Sequence, residues 1–290
     1  MFSADLLANA VVAGVLLGGF YAAVALGLAI VFGQLDIVNI AHPAFIIVGA
    51  YIAYIMNSRF GFDPVLVGVL AAPLFFVVGA LFYRIYFLAF ERTGQESLSG
   101  LAFFFGVMFI IEVVLIMVYG VDYRLVQADY IGKSWSIGFV DFPFRMLVPF
   151  TVSAIMTGGI YMFMSRTFMG RAIQAVAQDR VALQLMGADP VRIKQWAFGL
   201  GIATAAIAGA LLIVIGPVEP SVGRQYIGRA FAIVVLGGMG SIPGMFIAAL
   251  ILGVIESMVS TFAGPSWSPA VAFGVLALTL ALRPAGLFGR

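Results

Sequence analysis

The sequence contains no cysteine and a single histidine, His42, among 290 residues. Thiol catalysis, disulfides and cysteine-based metal sites are therefore excluded, and one histidine cannot assemble a zinc site or a Ser/His/Asp triad around itself. Gly132-Lys133-Ser134 resembles the end of a phosphate-binding loop, but Gln127 stands where the first glycine of that loop is required. We therefore expect no enzyme chemistry, no metal and no cofactor in this chain.

Charge is equally scarce, at 10% of residues, with a net charge of +2 and no block rich in lysine and arginine. This balance argues against nucleic acid as a partner. Hydrophobic residues make up 63% of the chain, and the mean hydropathy is +1.13. A soluble domain of this length could not cover its core with so few polar residues. The composition therefore indicates an integral membrane protein in contact with lipid.

Apolar runs of spanning length predict an all-α, polytopic membrane helix bundle with about eight full spans, forming one domain over residues 1–290. The N-terminal run, Leu6 to Phe32, lacks the basic flank of a cleavable signal peptide and is predicted to be a retained span. The predicted spans lie near 8–32, 38–56, 64–90, 98–119, 145–164, 195–215, 244–260 and 266–283.

A shorter apolar run, Tyr226 to Gly238, predicts a broken or re-entrant helix. The segment 165–195 carries five basic residues against Asp179 and Asp189, which places it in the cytoplasm by the positive-inside rule. Counting spans from there puts the N-terminus outside. Arg283 and Arg290 reach the cytoplasm only if the short run also crosses the membrane, or nearly does.

Two polar residues, Asn39 and His42, stand at the start of the second predicted span. Asn39 and His42 are three apart, hence on one face if helical, and Pro43 follows directly. One interpretation is a kink that lines a pore. The other is a helix start near the cytoplasmic interface, with Asn39 as the cap and His42 in water. The spacing does not separate the two.

Glu112 lies in the middle of a predicted span, where a carboxylate is costly unless it is protonated, paired or in a wet cavity. It is therefore a candidate residue of a translocation pathway, and the alternative is a polar contact between helices that fixes their packing. Glu256 and Asp36 lie nearer to span ends, so solvation at the membrane interface explains both.

The segment 169–190 predicts two short helices outside the bilayer, from Arg171 to Ala177 and from Asp179 to Met186. Asp179 is the predicted N-cap of the second helix, Gly187 its stop, and Asp189-Pro190 the start of the next element. An apolar face of Ala182, Leu185 and Met186 would suit insertion into a groove of another protein. An amphipathic connector on the membrane surface is the alternative.

At these residues the chain resembles the branched-chain amino-acid type of ABC importer permease. The stretch from Gly170 to Gly187 is similar to that family's cytoplasmic coupling loop. Leu26-Gly27-Leu28, Asn39-Ile40-Ala41-His42 and Gly49-Ala50-Tyr51 are similar to its N-terminal signature, and Val234 to Gly244 is similar to its C-terminal one. The matches follow the family's order and cover almost the whole chain.

The resemblance implies a subunit of the bacterial inner membrane that works with a second, homologous permease, two cytosolic ATPase subunits and an external substrate-binding protein. ATP and Mg²⁺ would be bound by the ATPase subunits. The implied docking residues in the coupling loop 165–195 are Arg171, Gln178, Asp179, Ala182, Leu185, Met186 and Gly187. Gly228 to Pro243 would be a broken helix at the pathway, which adds Gly237, Gly238 and Ser241 to Asn39, His42 and Glu112.

One departure from the family pattern concerns the substrate. Family members commonly carry glycine and an acidic residue after the Asn-x-Ala-His tetrad, where this chain has Pro43 and Ala44. The expected solute is therefore small and polar: a branched-chain or related amino acid, an amide, urea or a small organic acid. The competing hypothesis is a secondary transporter or channel that works alone and uses Glu112 as a proton or ion carrier.

Overall fold

The computed structural model describes residues 4–94, 97–138, 140–283 and 285–289. Short 3-10 turns occur at Glu91–Thr93, Pro220–Gly223 and Pro265–Trp267, and β1 (Ser134–Ile137) pairs with β2 (Val140–Pro143) as an antiparallel hairpin, with Trp135 opposite Phe142. The helices of the described residues are α1 (Ala4–Leu35), α2 (His42–Phe60), α3 (Pro64–Ala89), α4 (Ser97–Tyr119), α5 (Phe144–Arg166), α6 (Phe168–Gln178), α7 (Arg180–Leu185), α8 (Pro190–Ile215), α9 (Arg224–Gly237), α10 (Ile242–Phe262) and α11 (Ser268–Leu282).

Eight of these helical segments are long and apolar enough to cross a membrane, and they match the eight predicted spans in order. They are α1, α2, α3, α4, α5, α8, α10 and α11, the last together with its preceding turn. The prediction of an all-α membrane helix bundle is therefore confirmed. The chain is a multi-pass membrane protein.

Helix α8 lies at the centre of the bundle and packs against α1, α2 and α3. Its small residues let the neighbouring backbones approach closely. A methyl group added at Gly49 would lie 2.9 Å from the Ala206 carbonyl oxygen, and one at Gly68 would lie 2.6 Å from the Ala210 Cβ. Lipid tails are as apolar as leucine, so helices in a membrane associate through close packing of this kind.

Contacts near the two ends of α1 identify the two ends of the bundle. At the hairpin end, the Asp141 amide donates to Asn9 Oδ1, and Arg124 pairs with Val218 through their backbones. At the opposite end, the α6–α7 end, Gln34 donates to the Gly240 carbonyl oxygen. Asn9 and Leu287, which are near the two limits of the described residues, lie at different ends, because the Leu287 amide donates to the Leu236 carbonyl oxygen close to Gly240.

The short apolar run forms α9, which passes between the two ends. Helix α9 runs antiparallel to α10, with Gly237 against Met245 and Arg229 bonded to Glu256. The chain before it, at Val218, belongs to the hairpin end. Together with α8, α10 and α11, α9 thus makes four passages between the segment 165–195 and Arg283, which is the number that the charge count requires. Arg290, the second arginine of that argument, lies outside the described residues.

The contact between α1 and α10 generates a stability prediction. A methyl group at Gly18 would lie 2.6 Å from the Leu250 Cα, so Gly18→Ala must push the two helices apart. We expect it to lower the free energy of unfolding by about 1–3 kcal/mol, measured by thermal unfolding in detergent. The control is Gly106→Ala, because nothing lies within 4 Å of that methyl position on α4. Equal losses in both variants would contradict the close-packing account.

Candidate functional site

The loop between α5 and α8 is fixed by three side-chain caps. Thr167 Oγ1 accepts from the Gly170 amide at 3.0 Å. Asp179 Oδ1 accepts from Val181 and Ala182 at 2.9 Å each, and Asp189 caps α8 at Val191. Gly187 adopts a φ of +81°, the left-handed region that ends α7. The two predicted helices, the cap at Asp179 and the stop at Gly187 are confirmed, although α6 begins at Phe168 rather than Arg171.

Helix α7 and its end carry exposed apolar side chains on the outer surface of this loop. Leu185 is 85% exposed and Met186 is 76% exposed, beside the exposed Ala182. Val181, which the sequence analysis did not include, is exposed on the same side of the helix. We call these four residues the α7 patch. The remaining predicted docking residues are also exposed, and they are Arg171, Gln178, Asp179 and Gly187.

A buried carboxylate lies beneath the α7 patch. Glu91 contacts Lys194 and Arg180 as ion pairs and accepts a hydrogen bond from the Tyr83 hydroxyl at 2.9 Å. Lys194 is one of the five basic residues of the segment 165–195, yet its side chain is 3% exposed. One feature of the sequence is consistent with such a pair: Glu91 directly follows one long apolar run, and Lys194 directly precedes another.

Asn39 and His42 lie deep in the bundle rather than at its surface. The chain reverses after α1, since the Ile37 amide donates to the Val31 carbonyl oxygen, and α2 then begins at His42 beside Gly27. The helix-start interpretation is thus correct about Pro43, which occupies the first turn. It is wrong about the two polar residues. Ala41 is the N-cap, Asn39 caps nothing, and both Asn39 and His42 are fully buried.

Glu112 is paired with Arg224, a partner that the sequence analysis did not identify. The guanidinium Nε lies 2.8 Å from Glu112 Oε2, and Nη2 lies 2.7 Å from Oε1. The pair joins α4 to the start of α9 and forms a two-pronged contact, which is the favoured geometry for arginine and a carboxylate. This arrangement matches the packing alternative for Glu112.

Glu256 requires a correction, because it is not solvated at the membrane interface. Its side chain is 1% exposed and lies 2.6 Å from Arg229 Nη2. The guanidinium carbon of Arg229 also lies 5.7 Å from the ring centres of Tyr21 and Tyr226. The position of Glu256 near the end of its span predicts solvation, but α1 and α9 cover its side chain.

Gly237, Gly238 and Ser241 form the reversal between α9 and α10. The φ of Gly238 is +90°, and Gly237 packs against the Met245 backbone. Ser241 Oγ accepts from the Gly244 amide at 3.1 Å and caps α10. Gly228 to Pro243 therefore comprises most of α9, a tight turn and the start of α10.

An open trough runs along one face of the bundle between α5 and α10. The trough has a volume of about 500 Å³ and is mainly apolar. It is lined by Ala154, Thr157, Gly158, Tyr161, Ile242, Pro243, Phe246 and Ile247. It shares Tyr161, Ile242 and Pro243 with a polar cleft of about 590 Å³ at the α6–α7 end. The residues that line the cleft include Gln34, Gln174, Gln178, Gly240, Ser241 and Phe288.

The trough unites only part of the predicted site. Ser241 and Gln178 line the cleft, whereas Asn39, His42 and Glu112 line neither the trough nor the cleft. Within the described residues, no charged side chain lines the trough or the cleft. The three intramembrane polar residues are therefore separate from this cavity.

Comparison with known proteins agrees with these features. Residues 10–280 match the family described as branched-chain amino acid transport system / permease component. The chain belongs to this permease family. The permease is 31% identical to the BraD permease protein of the high-affinity branched-chain amino acid transport system of Pseudomonas aeruginosa, over 96% of this chain and 94% of that protein.

A second relative and a solved structure extend the comparison. The permease is 28% identical to LivH, a permease protein of the corresponding Escherichia coli system, over 96% of this chain and 94% of LivH. Its fold resembles PsaBC from Streptococcus pneumoniae in complex with Fab, with a TM-score of 0.50, 14% identity and coverage of 98% and 94% of the two chains. The likeness to PsaBC concerns the fold alone.

The buried ion pair of the permease generates a second prediction. Arg229→Gln leaves Glu256 buried without its cation, and we expect a loss of about 3–5 kcal/mol in the free energy of unfolding. The control is Arg192→Gln, because the Arg192 side chain is 83% exposed in its pair with Asp189, and such pairs contribute at most about 1 kcal/mol.

The measurement is denaturant unfolding of the purified permease in detergent. Arg229→Gln combined with Glu256→Gln should recover part of the loss, because no unpaired charge is then buried. A similar small effect of both arginine substitutions would show that Arg229 contributes no more than a surface ion pair.

Proposed function

We propose that this permease is the membrane-embedded subunit of an ABC importer that takes up a small neutral solute, with ATP hydrolysed by separate cytosolic subunits. The observation that carries the proposal is the α7 patch, an apolar surface held on a capped helix outside the spans. Burial of Leu185 and Met186 in the groove of a partner would remove a large apolar surface from water.

The construction of the loop suits a mechanical contact. Asp179 and Asp189 each satisfy two backbone amides, so α7 and the start of α8 begin at fixed points. A short rigid helix transmits a displacement without stretching. We infer that nucleotide-driven movement of an ATPase subunit reaches the permease through Arg171 to Gly187.

The proposed solute path is the α5–α10 trough. The apolar trough suits the aliphatic side chain of a solute. In the adjoining cleft, the amide groups of Gln174 and Gln178 and the Ser241 region suit the polar groups of the same solute. The absence of charge among the described lining residues favours a solute without net charge over an organic anion. Leucine, isoleucine, valine and related neutral amino acids or amides meet these requirements.

An open trough is only half of a channel. A second permease with a similar face would close it, and this arrangement explains why the cavity lies on a side of the bundle rather than along its centre. In this proposal the α6–α7 end faces the cytoplasm of a cell with a bacterial-type inner membrane. The N-terminus and the hairpin end then face outward, toward an external substrate-binding protein, and the C-terminus faces inward.

The competing hypothesis required Glu112 to carry a proton or an ion. Arg224 occupies both carboxylate oxygens, so protonation of Glu112 would break a two-pronged ion pair and leave the guanidinium without its partner. Glu112 also lies outside the trough. The geometry therefore favours a structural role for Glu112 and an external energy source for transport.

The α7 patch generates the test of this proposal. We expect Leu185→Asp to reduce copurification of ATPase subunits from the native membrane at least tenfold, because a carboxylate would have to be buried in the groove. The matched control is Leu125→Asp, since Leu125 is 62% exposed at the hairpin end. Loss of the ATPase in both variants, or in neither, would contradict docking at α7.

A further inference from the structure

A single carboxylate connects the α7 helix to the transmembrane bundle. Glu91 lies in the turn between α3 and α4, with a side chain only 7% exposed. Its oxygens contact Lys194 on α8, Arg180 on α7 and the hydroxyl of Tyr83 on α3. One buried anion therefore bonds to groups from three helices at the α6–α7 end.

Besides its chain connections to α6 and α8, helix α7 contacts the bundle through two side chains among the described residues. Leu183 is its one buried residue, and the side chain of Arg180 provides the polar attachment through Glu91 at 3.4 Å. The remaining residues of α7 face outward. The position of the α7 patch relative to the spans is therefore set by an apolar contact at Leu183 and a charged contact at Arg180.

The bundle side of this connection is rigid. Lys194 and Tyr83 belong to α8 and α3, which pack backbone against backbone. A methyl group at Gly199 would lie 2.9 Å from the Phe76 carbonyl oxygen, and one at Gly79 would lie 2.7 Å from the Ile202 Cβ. A displacement of Glu91 must consequently move both helices together, since neither can yield separately.

We propose that Glu91 and Arg180 are positioning residues that transmit movement of the docked α7 helix to α3 and α8. This inference rests on the proposed docking of an ATPase at α7 and identifies the internal connection that the docking uses. Glu91, Lys194 and Tyr83 form the buried part of the connection. Arg180, with 46% of its side chain exposed, is the more exposed member of the connection and belongs to α7.

The experiment measures the distance between α7 and α3 with spin labels. The chain has no cysteine, so Gln184→Cys on α7 and Leu88→Cys at the end of α3 give one labelled pair at two exposed positions. The distance distribution is measured by pulsed electron paramagnetic resonance. It is recorded for the full chain in detergent and for the complex purified from the native membrane, without nucleotide and with ATP and vanadate.

We expect a narrow distribution in the otherwise unchanged chain, with the same mean distance in both nucleotide states. Arg180→Gln should broaden it about twofold, because α7 loses its ion pair with Glu91 and keeps only the Leu183 contact and its connections to α6 and α8, and should let the mean distance shift with nucleotide. Arg180→Lys should restore most of the narrow distribution. Arg192→Gln, a control on an exposed arginine at the same end, should leave the distribution unchanged.

Two results would overturn the inference. The first is an unchanged width in Arg180→Gln, and the second is a nucleotide-dependent distance in the unsubstituted complex as large as in that variant. Failure of the proposed function is seen separately, as the absence of any ATPase in the purified complex. In that case a broadened Arg180→Gln distribution would still establish the attachment of α7 while rejecting its role in transmission.

Discussion

Close backbone contact around α8 is the constraint on which the rest of this structure depends. Helices in lipid gain little from burying apolar surface, so they hold together where small residues let backbones meet. On α8 these residues include Gly201 against α1, Ala206 against α2 and Gly209 against Ile46. Because α8 is fixed to α1, α2 and α3, Lys194 near its start is a fixed point for a segment attached at the α6–α7 end.

Buried carboxylates at helix contacts add specific tethers to this packing. Glu91 pairs with Lys194 and Glu112 with Arg224 across 103 and 112 residues, and Glu256 pairs with Arg229 between the consecutive helices α9 and α10. A charge inside the bundle is costly when alone, so each partner selects one arrangement of its helices. These residues therefore specify how the bundle assembles, and the open trough between α5 and α10 contains no charge among its described lining residues.

The features predicted correctly from the sequence are those with local causes. Spanning length follows from apolar runs, and the caps at Asp179 and Asp189 depend on residues two or three positions away. The partners of Glu112 and Glu91 are 112 and 103 residues distant, so no local pattern identifies them. The two interpretations of His42 could not be separated for a related reason, because hydropathy gives the length of α1 but not the reversal that carries α2 into the bundle.

The central claim is that an ATP-hydrolysing subunit binds this permease at the α6–α7 end. The most direct measurement places a photoreactive benzoylphenylalanine at Leu185 and irradiates the native membrane. Mass spectrometry then identifies the crosslinked chain. The account predicts a crosslink to a soluble-domain subunit that binds ATP. Crosslinks to lipid alone, or to a protein on the outer face of the membrane, would contradict it.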